Sequence, residues 1–86
     1  MIRDELVTIV VAEGQTLLRE GIAAICEATP RFRVIGHCGE GEAAVKMISS
    51  LQPDIAILDL DLPRLHGAAV IRRIRAKELR AKIVVM

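Results

Sequence analysis

The 86-residue chain has room for one domain, near the small end of what buries a self-sufficient hydrophobic core. Hydrophobic residues account for 52% of the chain and aromatic residues for 1%, so the core must be built from Ile, Val, Leu and Ala. Twelve basic and eleven acidic residues leave a net charge of +1, which argues against a protein that coats a polyanion and against a strongly acidic tail.

The apolar runs and the cysteines bear on where the protein resides. The longest apolar runs fall far short of the roughly 20 residues that a membrane span needs, and residues 1–6 contain no cleavable apolar segment. Cys26 and Cys38 have neither the number nor the spacing of a disulfide framework or a zinc site, so we interpret both as small buried hydrophobic residues. We therefore expect a cytoplasmic protein that is not embedded in a membrane.

The first half of the chain alternates strand and helix patterns. Residues 6–12 are β-branched nearly throughout, which predicts a first strand that is apolar on both faces. Thr16 is placed to cap a first helix, which must end by Thr29 because Pro30 disfavours helical geometry in the residue before it. The apolar residues of this helix predict a stripe toward the sheet: Leu17, Leu18, Ile22, Ala24 and Ile25.

A shorter strand and a second helix follow. Residues 32–35 predict a second strand, closed by Gly36 and His37, whose polar content suits a place near a sheet edge. The second helix is predicted from about Glu42, and Pro53 ends it. Its apolar face comprises Ala44, Met47, Ile48 and Leu51.

The third strand is the central one. Residues 55–58 are an unbroken apolar run that stops abruptly at Asp59, which is typical of a parallel strand buried on both faces. A third helix is predicted from about Ala68, and residues 83–86 open a fourth buried strand. On the third helix, Val70, Ile71 and Ile74 face inward and the arginines outward. Clustered basic residues over 72–82 can indicate nucleic-acid binding, but without interleaved aromatic residues we interpret them as a solvated outer face.

The order βαβαβαβ predicts an α/β fold with a doubly wound parallel sheet and helices on both faces. In that arrangement the ends of the first and third strands lie side by side, so Glu13, Asp59 and Asp61 are expected to converge. Carboxylates at one edge of a sheet suit Mg²⁺, and an aspartate beside the metal can attack a phosphoryl group. Acids that merely cap loops because they are well solvated are the alternative at this point.

Residues 13–21, residues 53–63 and Gly67 together resemble the receiver domain of bacterial response regulators, most closely the NarL/LuxR-type subfamily. The resemblance spans nearly the whole chain, implies a CheY-like (flavodoxin-like) fold and makes residues 1–86 one partial receiver domain. It implies that Asp59 is the phosphoacceptor and that Mg²⁺ is held by Glu13, by Asp59 and by the backbone carbonyl of Asp61.

Two departures from the family pattern affect the expected function. Gly14 stands where the family normally has a second acid, so Mg²⁺ binding is expected to be weakened. The chain also ends inside the fourth strand, before the hydroxyl residue, the lysine-bearing fifth strand and the last two helices of the family. We expect either a fragment of a longer receiver, which is the favoured interpretation, or a chain that self-associates through its exposed fourth strand.

The resemblance implies a signalling switch of a two-component system and not an enzyme. A sensor histidine kinase would transfer a phosphoryl group to Asp59, and transcription would be regulated through a carboxyl-terminal DNA-binding domain outside this chain. The alternative is an atypical receiver that works as a phosphorylation-independent interaction or dimerisation module, which Gly14 and the early end of the chain favour.

Overall fold

The structure of the protein, a computed structural model, describes residues 6–86. Its elements are β1 (Val7–Ala12), α1 (Thr16–Ala28), β2 (Phe32–Cys38), α2 (Gly41–Leu51), β3 (Ile55–Leu58), α3 (Gly67–Ala76) and β4 (Lys82–Val85). The predicted alternation of strands and helices is confirmed. The expectation that the amino terminus holds no cleavable segment falls mostly on residues 1–5, outside the described residues.

The four strands form one parallel sheet in the order β2-β1-β3-β4. The two most apolar strands, β1 and β3, are central, and β2 lies at an edge as its polar content predicted. Ala12 pairs with Leu58 in the register of β1 and β3, so the two central strands end together. This register is what brings the residues that follow each strand to one edge of the sheet.

The larger core lies between the sheet and the helices α2 and α3. Leu58, Ile48 and Ile74 are fully buried there, one from β3 and one from each helix. Val70 is buried as well and Ile71 is half-buried, which confirms the predicted inward face of the third helix. The arginines of α3 are exposed, also as predicted.

The opposite face of the sheet is covered by α1, and here the predicted stripe is wrong in part. Ile22 packs against the smaller core of Ile9, Val11 and Cys26. Leu17 is 84% exposed and Ile25 is 71% exposed, however, because no second helix lies beside α1 on this face among residues 6–86. Helical periodicity indicated an amphipathic helix but not how much of its apolar face finds a partner.

Two local predictions also need correction. Thr16 does not cap α1: the cap position is Gln15, in extended backbone, and Thr16 already belongs to the helix. The second strand continues beyond residues 32–35 to Cys38, because after a register shift at Ile9 and Val10 its residues go on pairing with β1 as far as Ala12.

Two further expectations concern cysteines and membranes. Cys26 and Cys38 are both buried free thiols, which confirms their interpretation as small core residues. Over residues 6–86, none of the helices has the length and apolar character that crossing a membrane requires.

Candidate functional site

The candidate site lies at the carboxyl ends of β1 and β3. The amide of Asp59 donates a hydrogen bond of 2.9 Å to the carbonyl oxygen of Ala12, which continues the ladder between the two strands by one residue. Asp59 therefore stands beside Glu13, the residue after Ala12. The structure brings these two predicted site residues together because adjacent parallel strands end at the same level.

Glu13 is 2% exposed, and it is the one charged residue of the described chain that is buried. Its Oε2 accepts a hydrogen bond of 2.8 Å from the amide of Gln15, and its carbonyl oxygen accepts one of 2.8 Å from Nη1 of Arg19. These bonds replace part of the hydration that a buried carboxylate loses. In the described residues no protein group donates to the other oxygen, Oε1, which leaves it available to a ligand.

Asp59 is half-buried, and its Oδ1 accepts a hydrogen bond of 3.0 Å from the amide of Asp61. This bond fixes one carboxylate oxygen and leaves the second for chemistry. The side chain of Asp61 is 93% exposed, and its Oδ1 lies 3.9 Å from Nε2 of His66. Asp61 thus contributes its backbone to the site, while its carboxylate lies at the surface.

All the candidate metal ligands are oxygen atoms, which is the donor type that Mg²⁺ prefers. They are the carboxylates of Glu13 and Asp59 and the backbone carbonyl of Asp61. From Leu6 to Met86, no three or more His, Cys, Asp or Glu side chains lie together in a way that could hold a metal ion. Since Mg²⁺ typically takes one or two carboxylates and completes its shell with water, the residues present fit a magnesium ion with few protein ligands.

Gly14 borders this site without contributing to it. A Cβ atom at Gly14 would lie 3.3 Å from Cδ of Pro63 and 3.7 Å from the carbonyl oxygen of Gly39. A side chain could be accommodated there with a small shift of the proline ring. The backbone at Gly14 therefore leaves room for a Cβ atom if the ring of Pro63 moves by a few tenths of an ångström.

Gly67 joins the end of the loop after Asp59 to its beginning. Its amide donates a hydrogen bond of 2.9 Å to the carbonyl oxygen of Leu60. A Cβ atom at this position would lie 2.7 Å from the carbonyl oxygen of Asp59 and 2.6 Å from Cα of Leu60. Only glycine allows α3 to start this close to the chain that carries Asp59.

The same loop is fastened to the start of α2, which the sequence did not indicate. The amide of Gly41 donates a hydrogen bond of 3.0 Å to the carbonyl oxygen of Pro63, and Nε of Arg64 lies 2.6 Å from Oε2 of Glu40. A Cβ atom at Gly41 would lie 2.6 Å from Cβ of Leu65. Arg64 is exposed, yet it is paired with Glu40.

Cys38 lies close to the site at the end of β2, where its carbonyl oxygen accepts a hydrogen bond of 3.0 Å from the amide of Glu13. Burial raises the pKa of its thiol, so the group stays protonated at neutral pH. Cys38 thus packs in the larger core beside the site.

Comparison with known proteins agrees with this geometry. Residues 9–86 match the family model described as "Response regulator receiver domain". The nitrate/nitrite response regulator protein NarL of Escherichia coli (strain K12) is 32% identical over 85 residues, which are 99% of this chain and 39% of that protein. The chain thus spans about two fifths of the length of this curated relative.

Solved structures give the same result. The signal receiver domain of NarL from Mycobacterium tuberculosis superposes with a TM-score of 0.91 at 32% identity, over 94% of this chain and 65% of that one. A DNA-binding response regulator of the LuxR family from Staphylococcus aureus superposes with a TM-score of 0.88 at 29% identity, over 93% of this chain and 67% of that one.

Proposed function

The chain belongs to the family of response regulator receiver domains, and from this premise we propose that Asp59 accepts a phosphoryl group. The observation that supports the proposal is the hydrogen bond from the amide of Asp59 to Ala12, which extends the pairing of β1 and β3 so that Asp59 and the buried Glu13 follow the two strands at the same edge of the sheet. Two acids held at the same edge of a parallel sheet are the arrangement that phosphoryl transfer to a carboxylate needs.

The free oxygen of Asp59, Oδ2, attacks the phosphorus of the donor. The bond between phosphorus and the donor's leaving group breaks, and its electron pair leaves with that group. The amide of Asp61 holds Oδ1 and so orients the attacking oxygen, while Ala12 fixes the backbone of Asp59. Mg²⁺, when held by Glu13, Asp59 and the Asp61 carbonyl, would offset the negative charge on the two reacting groups.

Intact-mass measurement tests the proposal. After incubation of the chain with acetyl phosphate and Mg²⁺, we expect an adduct of ~80 Da, which is the mass of the transferred phosphoryl group with its proton. Asp59→Asn should abolish the adduct. Glu20→Gln, which removes an exposed carboxylate of α1, is the matched control and should retain it. An adduct that persists in Asp59→Asn would contradict the assignment of Asp59.

Gly14 is proposed to weaken Mg²⁺ binding, because the position supplies no carboxylate to a site to which the described residues contribute only those of Glu13 and Asp59. Gly14→Asp should therefore bind Mg²⁺ more tightly than the wild type in isothermal titration calorimetry, since a side chain fits beside Pro63 with a small adjustment. Gly14→Asn adds a side chain of the same size without the charge and serves as the control. Equal Mg²⁺ affinity in all three proteins would contradict this role.

The partners follow from the family and remain part of the proposal. We infer that a sensor histidine kinase is the physiological phosphoryl donor, and that residues 1–86 are one partial cytoplasmic receiver domain. The chain covers 65% of the NarL receiver-domain structure, which supports the partial assignment. Because a similar solved protein is described as a DNA-binding response regulator of the LuxR family, we further propose that transcription is controlled through a separate DNA-binding domain.

A second candidate function is a phosphorylation-independent dimerisation module. Within residues 6–86, β4 pairs with β3 on one side only, and Val84 and Val85 are 48% and 46% exposed. An apolar strand edge of this kind favours pairing with a second copy. Sedimentation equilibrium should then show a dimer that Val85→Lys weakens and acetyl phosphate does not change. A monomer at all concentrations would leave only the phosphorylation switch.

A further inference from the structure

The strongest unassigned feature is a basic surface formed by the second half of α3 and its connection to β4. Between positions 72 and 82 the chain has six basic residues and one acid, Glu78, although the whole chain carries a net charge of only +1. All six basic side chains are exposed. Five of them define the basic surface: Arg72, Arg75, Lys77, Arg80 and Lys82.

These five cations have no carboxylate partner in the described part of the chain. The sixth, Arg73, is paired with Glu42 at 3.1 Å. Nη1 of Arg75 donates a hydrogen bond of 3.1 Å to the carbonyl oxygen of Leu79, which leaves its charge uncompensated. The neighbouring acid Asp54 is engaged elsewhere, because its Oδ2 accepts hydrogen bonds from the amide and the hydroxyl of Thr8. The positive charge of the basic surface is therefore directed at solvent.

The basic surface is separate from the phosphoacceptor site. Helix α3 starts at Gly67, next to Asp59, and runs away from it, so Arg75 and Lys77 lie at its far end. Lys82 opens β4 and pairs in register with Ile55, the first residue of β3. The acids therefore cluster at the carboxyl ends of the strands and the unpaired cations toward the amino ends.

The composition of the basic surface indicates the class of its partner. A protein interface needs an apolar centre, yet none of the large exposed hydrophobic residues lies between positions 72 and 82. Single-stranded nucleic acid binds through stacking on aromatic rings, and the chain has only Phe32, which is half-buried in β2. Phe32 and Leu79 line a cavity beside Arg80 and Lys82, but both are half-buried, whereas the five cations are exposed. Exposed, unpaired Arg and Lys suit the phosphate backbone of a duplex, read without regard to sequence.

We propose that the basic surface of α3 and the α3–β4 connection binds the phosphate backbone of duplex nucleic acid. This interaction is independent of phosphoryl transfer to Asp59. It also revises the interpretation of these residues from sequence: they form a solvated outer face, but one whose cations are left without counter-charges.

Fluorescence anisotropy with a labelled DNA duplex of about 20 base pairs and arbitrary sequence tests the proposal. If all five cations contact phosphates, the logarithm of the binding constant should fall with the logarithm of salt concentration with a slope of about −4.5. Raising the salt from about 50 mM to about 200 mM should then weaken binding roughly 500-fold.

The variant Arg72→Gln/Arg75→Gln removes two neighbouring cations of one helix face while keeping good helix-forming residues. Its slope should fall to about −2.7, which corresponds to a roughly 40-fold loss over the same salt range. The matched control is Arg33→Gln/Lys46→Gln, which removes two exposed cations of β2 and α2 and the same net charge. Its slope should equal that of the wild type, and far-UV circular dichroism should show all three proteins folded.

Three results would overturn the proposal. The first is that the wild type does not bind the duplex at about 50 mM salt, where electrostatic binding is strong. The second is that the two double variants lose binding equally, which would mean that net charge and not the location of the cations matters. The third is that a poly-glutamate peptide binds more tightly than the duplex, which would indicate an acidic protein as the partner. None of these results bears on the phosphoryl adduct of Asp59, so failure here and failure of the proposed function remain distinguishable.

Discussion

The two faces of the sheet differ in how completely helices cover them. On one face, α2 and α3 together enclose twelve buried residues, among them Ile48, Leu58 and Ile74 with no measurable exposure. On the other face α1 alone covers three, Ile9, Val11 and Cys26, and leaves Leu17 and Ile25 largely in solvent. Both faces are lined by β-branched and aliphatic residues from the same strands.

The difference in packing between the two faces extends to the two sides of the candidate site. The loop that carries Asp59 and Asp61 leads directly into α3 and touches the start of α2, both on the well-filled face. Glu13 leads into α1, on the sparsely covered face. Glu13 and Asp59 thus follow two neighbouring strands of one sheet, but each leads into a region that is packed to a different extent.

The largest expected effect compares one isoleucine from each face. Ile48→Ala on α2 should lower the free energy of unfolding by about 2–5 kcal/mol, because it leaves a cavity in a filled core. Ile25→Ala on α1 should change it by less than about 0.5 kcal/mol, since that side chain is 71% exposed. Urea denaturation followed by circular dichroism measures both, and equal losses would show that the two faces do not differ in packing.

A glycine on the crowded side gives the next largest effect. Gly41→Ala should lower the free energy of unfolding by about 1–3 kcal/mol, because the new methyl group overlaps Leu65 and must displace the Asp59 loop or the first turn of α2. The same urea titration measures the loss, and the yield of the acetyl phosphate adduct should fall with it. An unchanged urea midpoint and an unchanged adduct yield would mean that the Asp59 loop and α2 can accommodate the extra methyl group.

The glycine on the open side should behave in the opposite way. Gly21 lies inside α1, and nothing lies within 4 Å of where its Cβ would be. Gly21→Ala should raise the free energy of unfolding by about 0.5–1 kcal/mol, because alanine has the higher helix propensity and meets no neighbour. A thermal melt showing a lower midpoint for this variant would indicate a partner for α1 that the sheet face alone does not reveal.

The smallest expected effect belongs to neither face. Asp54 joins the starts of β1 and β3, and hydrogen bonds from the amide of Thr8 at 2.8 Å and from its hydroxyl at 3.0 Å lower the pKa of the Asp54 carboxyl. Its stabilisation is therefore present at neutral pH and is lost as the pH falls below the ordinary value and through the lowered one. Urea titrations at neutral and acidic pH should show a smaller pH dependence in Asp54→Asn than in the wild type; an identical dependence would contradict this role.

The sequence predicted the filled face better than the open one for a physical reason. Val70 and Ile74 recur at helical spacing and are buried because α2 lies beside α3. Leu18 and Ile25 recur at the same kind of spacing, yet remain exposed because burial depends on what covers the helix as well as on its own pattern.

In the candidate site, the features set by strand order could be predicted from the sequence, and the contacts between loops could not. Glu13 and Asp59 could be predicted to lie together from strand order, since neighbouring parallel strands that end at the same level bring the residues after them to one edge of the sheet. The pairing of Arg64 with Glu40 could not be predicted, because two loops distant in sequence meet only in three dimensions. Thr16 illustrates a boundary error of one residue, enough to turn an expected cap into the first residue of a helix.

The contact of Gly41 with Leu65 has a mechanical consequence. Leu65 lies against the bare α-carbon of Gly41, and the Gly41 amide is bonded to Pro63, so no clearance separates the stretch after Asp59 from the first turn of α2. A shift of this stretch therefore requires the first turn of α2 to move as well, because the two are in direct contact. The first turn of α2 is thus in direct contact with the segment that follows Asp59.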